Sequence, residues 1–239
     1  MKDSKEYSDE FQKFYRKLKR TYGKVKKPDY EDPVGALVYG IISERTSESW
    51  ARGAYKRILE HFVDFNDLRV SPSGEILEVL GEDTVVTCGI ASALVGALRA
   101  LFEKNNMVSL LGLCQMSKRP ARQVLSKIGG GVSRFVVNYC MLMSLQSHAI
   151  PLTEKMVEYL RSNGLVHPES DEQEIEGFLM RQVSSSGAYK FYAYLRSESE
   201  VGKLKVNKAA CESKKGLTKS KKVSEKKVKK LRKKANRKV

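Results

Sequence analysis

Positive charge is confined to one end of this chain, and that confinement decides which part of it can fold. Of 44 Lys and Arg residues, 17 lie between Lys203 and Val239, where the only acids are Glu212 and Glu225. Residues 1–202 then hold 27 basic and 26 acidic groups, so the total of +16 describes the end segment and not the body. Residues 203–239 contain no aromatic side chain and no sustained apolar period. Such a segment buries too little surface to offset the entropy of ordering, and it is expected to be a disordered tail. Its lysine pairs, Lys221-Lys222, Lys226-Lys227 and Lys229-Lys230, form a polycation suited to a polyanion. Duplex DNA is the first expectation for that partner. RNA through the tail, a solubilising role and a nuclear-localisation stretch stay open, because counterion release is blind to sequence.

The body, residues 1–202, can fill one large domain or two small ones. Its apolar residues recur at helical spacing. Phe11, Phe14, Tyr15, Leu18 and Tyr22 place a helix over Ser8–Tyr22, ended by Gly23. Val34–Ser43 is apolar nearly all round and reads as a buried helix. Further helices are expected from Ser47 to near His61, over Pro72–Leu80, Ile90–Phe102, Ser117–Ile128, Val132–Leu145, Thr153–Ser162, Glu172–Val183 and Ala188–Arg196. Thr84–Cys88 (TVVTC) is the one segment that could be a strand, too short and isolated to build a sheet. The fold class is therefore all-α.

No apolar stretch reads as a membrane span; Val136–Leu145 is interrupted by Asn138 and Ser144. Met1–Glu10 is charged from Lys2 onward, without the apolar core of a secretory signal, so an intracellular location is expected. Cys88, Cys114, Cys140 and Cys211 are isolated from one another and make no metal spacing with His61, His148 or His167. They are expected as buried reduced thiols, with no cofactor and no metal.

The segment with most chemical content is Gly129-Gly130-Gly131 between two helices. Three glycines permit positive φ and leave amides uncovered, and the helix that follows aims its first N–H groups the same way. Ser133 and Arg134 add a hydroxyl and a charge, and Lys127 precedes them. Together they could hold a phosphate. The alternative is a plain helical corner with glycine as its cap.

The stretch LSKIGGGVSRFVVNYCMLMSLQSHAIPLTEKMVEYLRSNGL (Leu125–Leu165) resembles the helix–hairpin–helix superfamily of base-excision DNA glycosylases, the endonuclease III-like proteins. Gly129 and Gly131 match the hairpin glycines, and Pro151-Leu152 matches a proline–valine pair that precedes the next helix. Upstream, DPVGALVYGIISERTS (Asp32–Ser47) is similar to the family's early helix. The resemblance implies a two-lobed helical body over residues 1–202 with a groove near the hairpin. It also implies departures. The family's Schiff-base lysine falls on Ser133, and its aspartate after the proline–valine pair falls on Thr153. The glutamate of adenine-specific relatives falls on Gly40. The glutamine that fills the gap in the duplex falls on Glu44 or Arg45, and the four-cysteine loop is absent. Threonine can cap a helix but cannot carry negative charge toward an oxocarbenium-like centre. The resemblance thus implies a protein that binds duplex or damaged DNA through hairpin and tail, without glycosylase or lyase chemistry. An active glycosylase or abasic-site lyase with relocated groups is the alternative, and Glu44, Glu154 or Lys155 facing the groove would favour it. Lys127 and Lys118 are further candidate amines.

Overall fold

The computed structural model describes residues 4–201; the basic tail with its lysine pairs, and Cys211, lie outside the described residues. Eleven helices are present among the described residues: α1 (Ser4–Thr21), α2 (Pro33–Arg45), α3 (Glu48–His61), α4 (Phe65–Val70), α5 (Ser73–Leu80), α6 (Val85–Asn105), α7 (Lys118–Ser126), α8 (Arg134–Met143), α9 (Glu154–Ser162), α10 (Glu172–Gln182) and α11 (residues 188–201). Short 3-10 turns occupy Leu111–Gln115 and Ser185–Gly187. No strand occurs among the described residues.

Polar side chains set most of the helix starts. Asp32, Ser47, Asp64, Thr84, Ser133, Thr153 and Asp171 each accept a backbone N–H of the helix that follows, an arrangement worth about 1 kcal/mol per cap. One of these caps settles the doubtful strand. Thr84 and Thr87 form a reciprocal capping box, so TVVTC is the first turn of α6 despite its β-branched residues. The apolar run after it is thereby extended to 21 residues, long and apolar enough to cross a bilayer by length and composition, contrary to the expectation that no segment qualifies. Here Ile90, Leu94, Leu98 and Leu101 of that helix are buried in the protein core. The thiols also depart from expectation: Cys140 is buried, whereas Cys88 and Cys114 are exposed.

The helices fall into two groups. In the first, α2 is buried almost throughout and packs on α8, where Tyr39 and Tyr139 stack at 5.4 Å between ring centroids. Gly40 makes this close approach possible: a Cβ there would already stand 3.4 Å from Val136. The position that the resemblance gives to a glutamate is therefore filled by helix packing. The second group joins the two ends of the body. Phe11 of α1 meets Phe178 of α10 at 5.8 Å and Phe191 of α11 at 5.4 Å, and Phe14 meets Tyr159 of α9 at 6.1 Å. Fully burying a phenylalanine such as Phe11 contributes about 1.5–3 kcal/mol.

Candidate nucleic-acid interface

The hairpin between α7 and α8 is built against α6 by the absence of side chains. Gly129, Gly130 and Gly131 all take positive φ, at 76°, 62° and 99°. A Cβ on Gly130 would lie 2.3 Å from the carbonyl carbon of Gly96, and one on Gly131 would lie 2.7 Å from the Cβ of Ala93. Gly129 faces open space instead. Among the described residues no acceptor takes the amides of these three glycines. Exposed amides then lead into the first turn of α8, where the helix dipole favours an anion.

Beside this hairpin a cleft of about 750 Å³ opens between the two helix groups. Its walls come from the end of α2 (Glu44, Arg45), the start of α6 (Val86), the start of α8 (Ser133 to Phe135), one side of α9 with the two residues before it (Leu152 to Arg161) and Glu172 of α10. Each wall is fixed by a local device. The buried Arg196 donates to the carbonyls of Ser43 and Thr46, closing the C-terminal end of α2 and holding Glu44 and Arg45 at the cleft. The guanidinium of Arg45 passes over Gly89, where a Cβ would come within 2.9 Å. Ser133 Oγ accepts from the amide of Val136 at 3.2 Å, and Thr153 Oγ1 accepts from that of Met156 at 3.4 Å. Both hydroxyls are helix caps, and Thr153 is almost wholly buried.

The residues singled out in the sequence separate into three sets. Glu44, Arg45, Ser133, Arg134, Thr153, Glu154 and Lys155 meet in the cleft. Gly129, Gly130, Gly131 and Lys127 are exposed on the hairpin beside it. Lys118 is engaged elsewhere, its ammonium donating to the carbonyl of Leu145. Arg134 is in the cleft but already holds a partner, with Nε and Nη2 at 2.8 and 2.7 Å from the buried Glu176. The residue that sequence reasoning missed is Glu172. It is partly buried, and burial first, then Glu176 and Glu44, hold its carboxyl above the usual carboxylate range while Arg134 opposes them. The only signal for it in the sequence is the Asp171-Glu172 helix start.

A second groove, of about 910 Å³, lies over Tyr30, Tyr39 and Tyr55. Tyr39 Oη donates to Glu48 at 2.8 Å, Arg52 Nε donates to the same oxygen at 3.0 Å, and Lys27 Nζ donates to the carbonyl of Leu142 at 2.9 Å. Burial pushes the Tyr55 phenol up to about 12 and those of Tyr30 and Tyr39 further, so all three remain neutral hydroxyls.

No family model matches the sequence, and no curated protein matches it significantly. Solved structures do match. An endonuclease III trapped as a covalent intermediate with DNA is 15% identical, with a TM-score of 0.59 over 83% of this chain and 86% of that one. The 8-oxoguanine glycosylase/lyase of Clostridium acetobutylicum, solved with double-stranded DNA containing cytosine opposite 8-oxoguanine, is 16% identical, with a TM-score of 0.63 over 84% of this chain and 71% of that one. The 3-methyladenine DNA glycosylase of H. pylori, bound to 1,N6-ethenoadenine, is 11% identical, with a TM-score of 0.59 over 84% and 98%. The chain has the all-α helix–hairpin–helix DNA glycosylase fold.

Proposed function

We propose, with the helix–hairpin–helix glycosylase fold as premise, that this chain is an intracellular DNA-binding protein of base-excision repair type. It binds duplex or damaged DNA through the hairpin and cleft, and the basic tail adds sequence-independent affinity. The family's own lysine and aspartate positions carry no chemistry here. The observation that supports this most directly is that Ser133 and Thr153, which the resemblance puts at those positions, both serve as helix caps in one cleft. Phosphate contacts from the hairpin amides, Lys127 and Arg45 would position the duplex without reading its sequence. Val85, 91% exposed next to the cleft residue Val86, offers an apolar wedge for a base step that opens.

A second reading, an enzyme with relocated groups, is favoured by Glu44, Glu154 and Lys155, which line the cleft without an ion pair or hydrogen bond among the described residues. Borohydride trapping on a duplex with one abasic site, run beside a strand-cleavage gel and a binding titration, separates the two. The expected result is a bound duplex with neither adduct nor strand cleavage, both for the full chain and for residues 1–202. An adduct mapped to Lys155 would move the assignment to a lyase. Loss of all duplex binding at low salt on removing residues 203–239 would overturn the hairpin's role.

A further inference from the structure

The basic charge of the body is concentrated near its beginning. Residues 13–27 hold eight Lys or Arg and no acid, whereas the other residues up to 202 hold 19 basic and 26 acidic groups. In α1 the apolar side chains of Phe11, Tyr15 and Leu18 are buried in the core, so helical spacing turns Arg16, Lys17 and Arg20 outward as one stripe. Past the helix end, Lys24 and Lys26 are exposed in the loop that follows. This loop is pinned at three points. The hydroxyls of Tyr194 and Tyr189 donate to the carbonyls of Gly23 and Lys26 at 3.0 and 2.7 Å, and Lys27 donates to the carbonyl of Leu142 at the end of α8. Lys13 is paired with Glu10, and Lys19 lies over the Tyr15 ring. Arg16, Lys17, Arg20, Lys24 and Lys26 hold no hydrogen bond or ion pair among the described residues.

This surface is separate from the cleft. α9 stands between them, with Tyr159 against Phe14 of α1 and with Glu154 and Lys155 on the cleft side. α8 starts in the cleft and reaches Lys27 at its other end, about 15 Å away at about 1.5 Å per residue. We infer that the outward stripe of α1, with Lys24 and Lys26, is a second site for the phosphate backbone of duplex DNA, so that a molecule with DNA in its cleft holds another segment on a different face. The choice of DNA over RNA rests on the DNA-binding reading above. The choice of a duplex backbone rests on the stripe itself. No large apolar side chain between residues 4 and 30 is exposed, so the helix has nothing to insert into a bilayer and no apolar centre for a protein interface. Its aromatic rings are committed as well, Tyr15 to the core and Tyr22 to a stack on Tyr194 at 5.5 Å, which leaves no platform for unpaired bases. A row of cations on a fixed frame remains, and it suits phosphates carried on the outside of a duplex.

The test uses the full chain in two arms. In the first, lysines are acetylated with and without an excess of a short DNA duplex, and the modified sites are read by mass spectrometry. Lys17, Lys24 and Lys26 are expected to lose reactivity when the duplex is present, together with Lys155 of the cleft. In the second arm the chain is loaded on an immobilised duplex, and a labelled second duplex is added over a series of salt concentrations. Arg16→Gln, Lys17→Gln and Arg20→Gln combined are expected to leave loading on the first duplex within about twofold and to make capture of the second shallower by about 2.7 in log–log salt slope, about 0.9 for each lost phosphate contact. The tail is present in both proteins, so its share cancels. Glutamine keeps the helix propensity, and a melting curve checks that the variant folds. Protection of Lys155 with Lys17, Lys24 and Lys26 unprotected would overturn this inference and leave the cleft reading standing. Protection of the three without Lys155 would keep this surface as a DNA site and bring down the cleft reading. Capture of the second duplex with an unchanged slope in the variant would overturn the inference, since the tail would then do the bridging. Protection by an RNA duplex of the same length but not by DNA would overturn the choice of DNA. No protection at either place would bring down both readings.

Discussion

The charged cleft and the tyrosine groove are concavities of similar size, about 750 and 910 Å³, on the same body, yet their polar groups behave in opposite ways. In the groove the charges next to the tyrosines are bonded inside the protein, while Lys26, Asp29 and Glu31 stay exposed. Glu48 takes Tyr39 and Arg52, Lys27 closes the carbonyl of Leu142, and Asp32 caps α2 while accepting from Ser109 and the amide of Leu110. In the cleft Arg134 and Arg161 are bonded to Glu176 and to the carbonyl of Ser170, but Glu44, Arg45, Glu154, Lys155 and Glu172 hold no hydrogen bond or ion pair among the described residues. Volume does not distinguish the two; the state of the hydrogen bonds does. Groups that are satisfied stabilise the fold, and groups kept half in water with no partner are available to a ligand.

Substitutions can break or sharpen that contrast. The largest effect belongs to the seam that supports the cleft. Gly130→Ala puts a Cβ into the backbone of Gly96 at positive φ, and it is expected to cost about 3 kcal/mol. Gly129→Ala, equally left-handed but open to solvent, is expected to cost only about 1 kcal/mol. Urea midpoints give both, and equal losses would mean that the hairpin does not sit on α6 as described. Next come one residue from each concavity. Tyr39→Phe removes a donor from a mostly buried carboxylate, with an expected loss of about 1–3 kcal/mol and unchanged affinity for duplex DNA. Lys155→Ala is expected to do the reverse: stability within about 0.5 kcal/mol of wild type, and a salt dependence of duplex binding shallower by about 0.9 in log–log slope. If Tyr39→Phe weakened DNA binding while Lys155→Ala did not, the two concavities would have to exchange roles.

Most of this arrangement could be read from residue types alone, and its gaps have physical causes. The long helices announced themselves through apolar spacing, and the glycine triplet together with Pro151-Leu152 carried the resemblance that located the cleft. α4 escaped because six residues are too few to show a period. The start of α6 looked like a strand because Val85, Val86 and Thr87 are β-branched, and only the capping box decides otherwise. Within the site, Ser133 and Thr153 were legible because each starts a helix next to a recognisable turn. Glu172 was not, because it comes from a helix that only tertiary packing brings to the hairpin. The same packing hands Arg134 to Glu176, so a residue expected to meet phosphate is held by a buried carboxylate instead. Spacing along a chain reports which face of a helix is buried. It does not report which unrelated helix will supply the partner.

The smallest expected effect is the one that tests whether Glu172 belongs to the free set or the satisfied one. Its folded-state carboxyl lies above the usual range, mainly through burial. A carboxyl raised on folding adds stability at low pH, below its unfolded value near 4.3, and that contribution is lost as pH rises through the raised folded value. Glu172→Gln keeps the shape and removes the titration. The variant should therefore be at least as stable as wild type at neutral pH, with the difference closing as pH falls below the ordinary glutamate range. The start of α10 favours a negative charge and works against this gain, and solvent screens a half-exposed group, so the shift in urea midpoint should be small. Its sign carries the information. If Glu172→Gln lost stability at every pH, the carboxyl would be holding α10 in place. The carboxyl of Glu172 would then belong to the satisfied set.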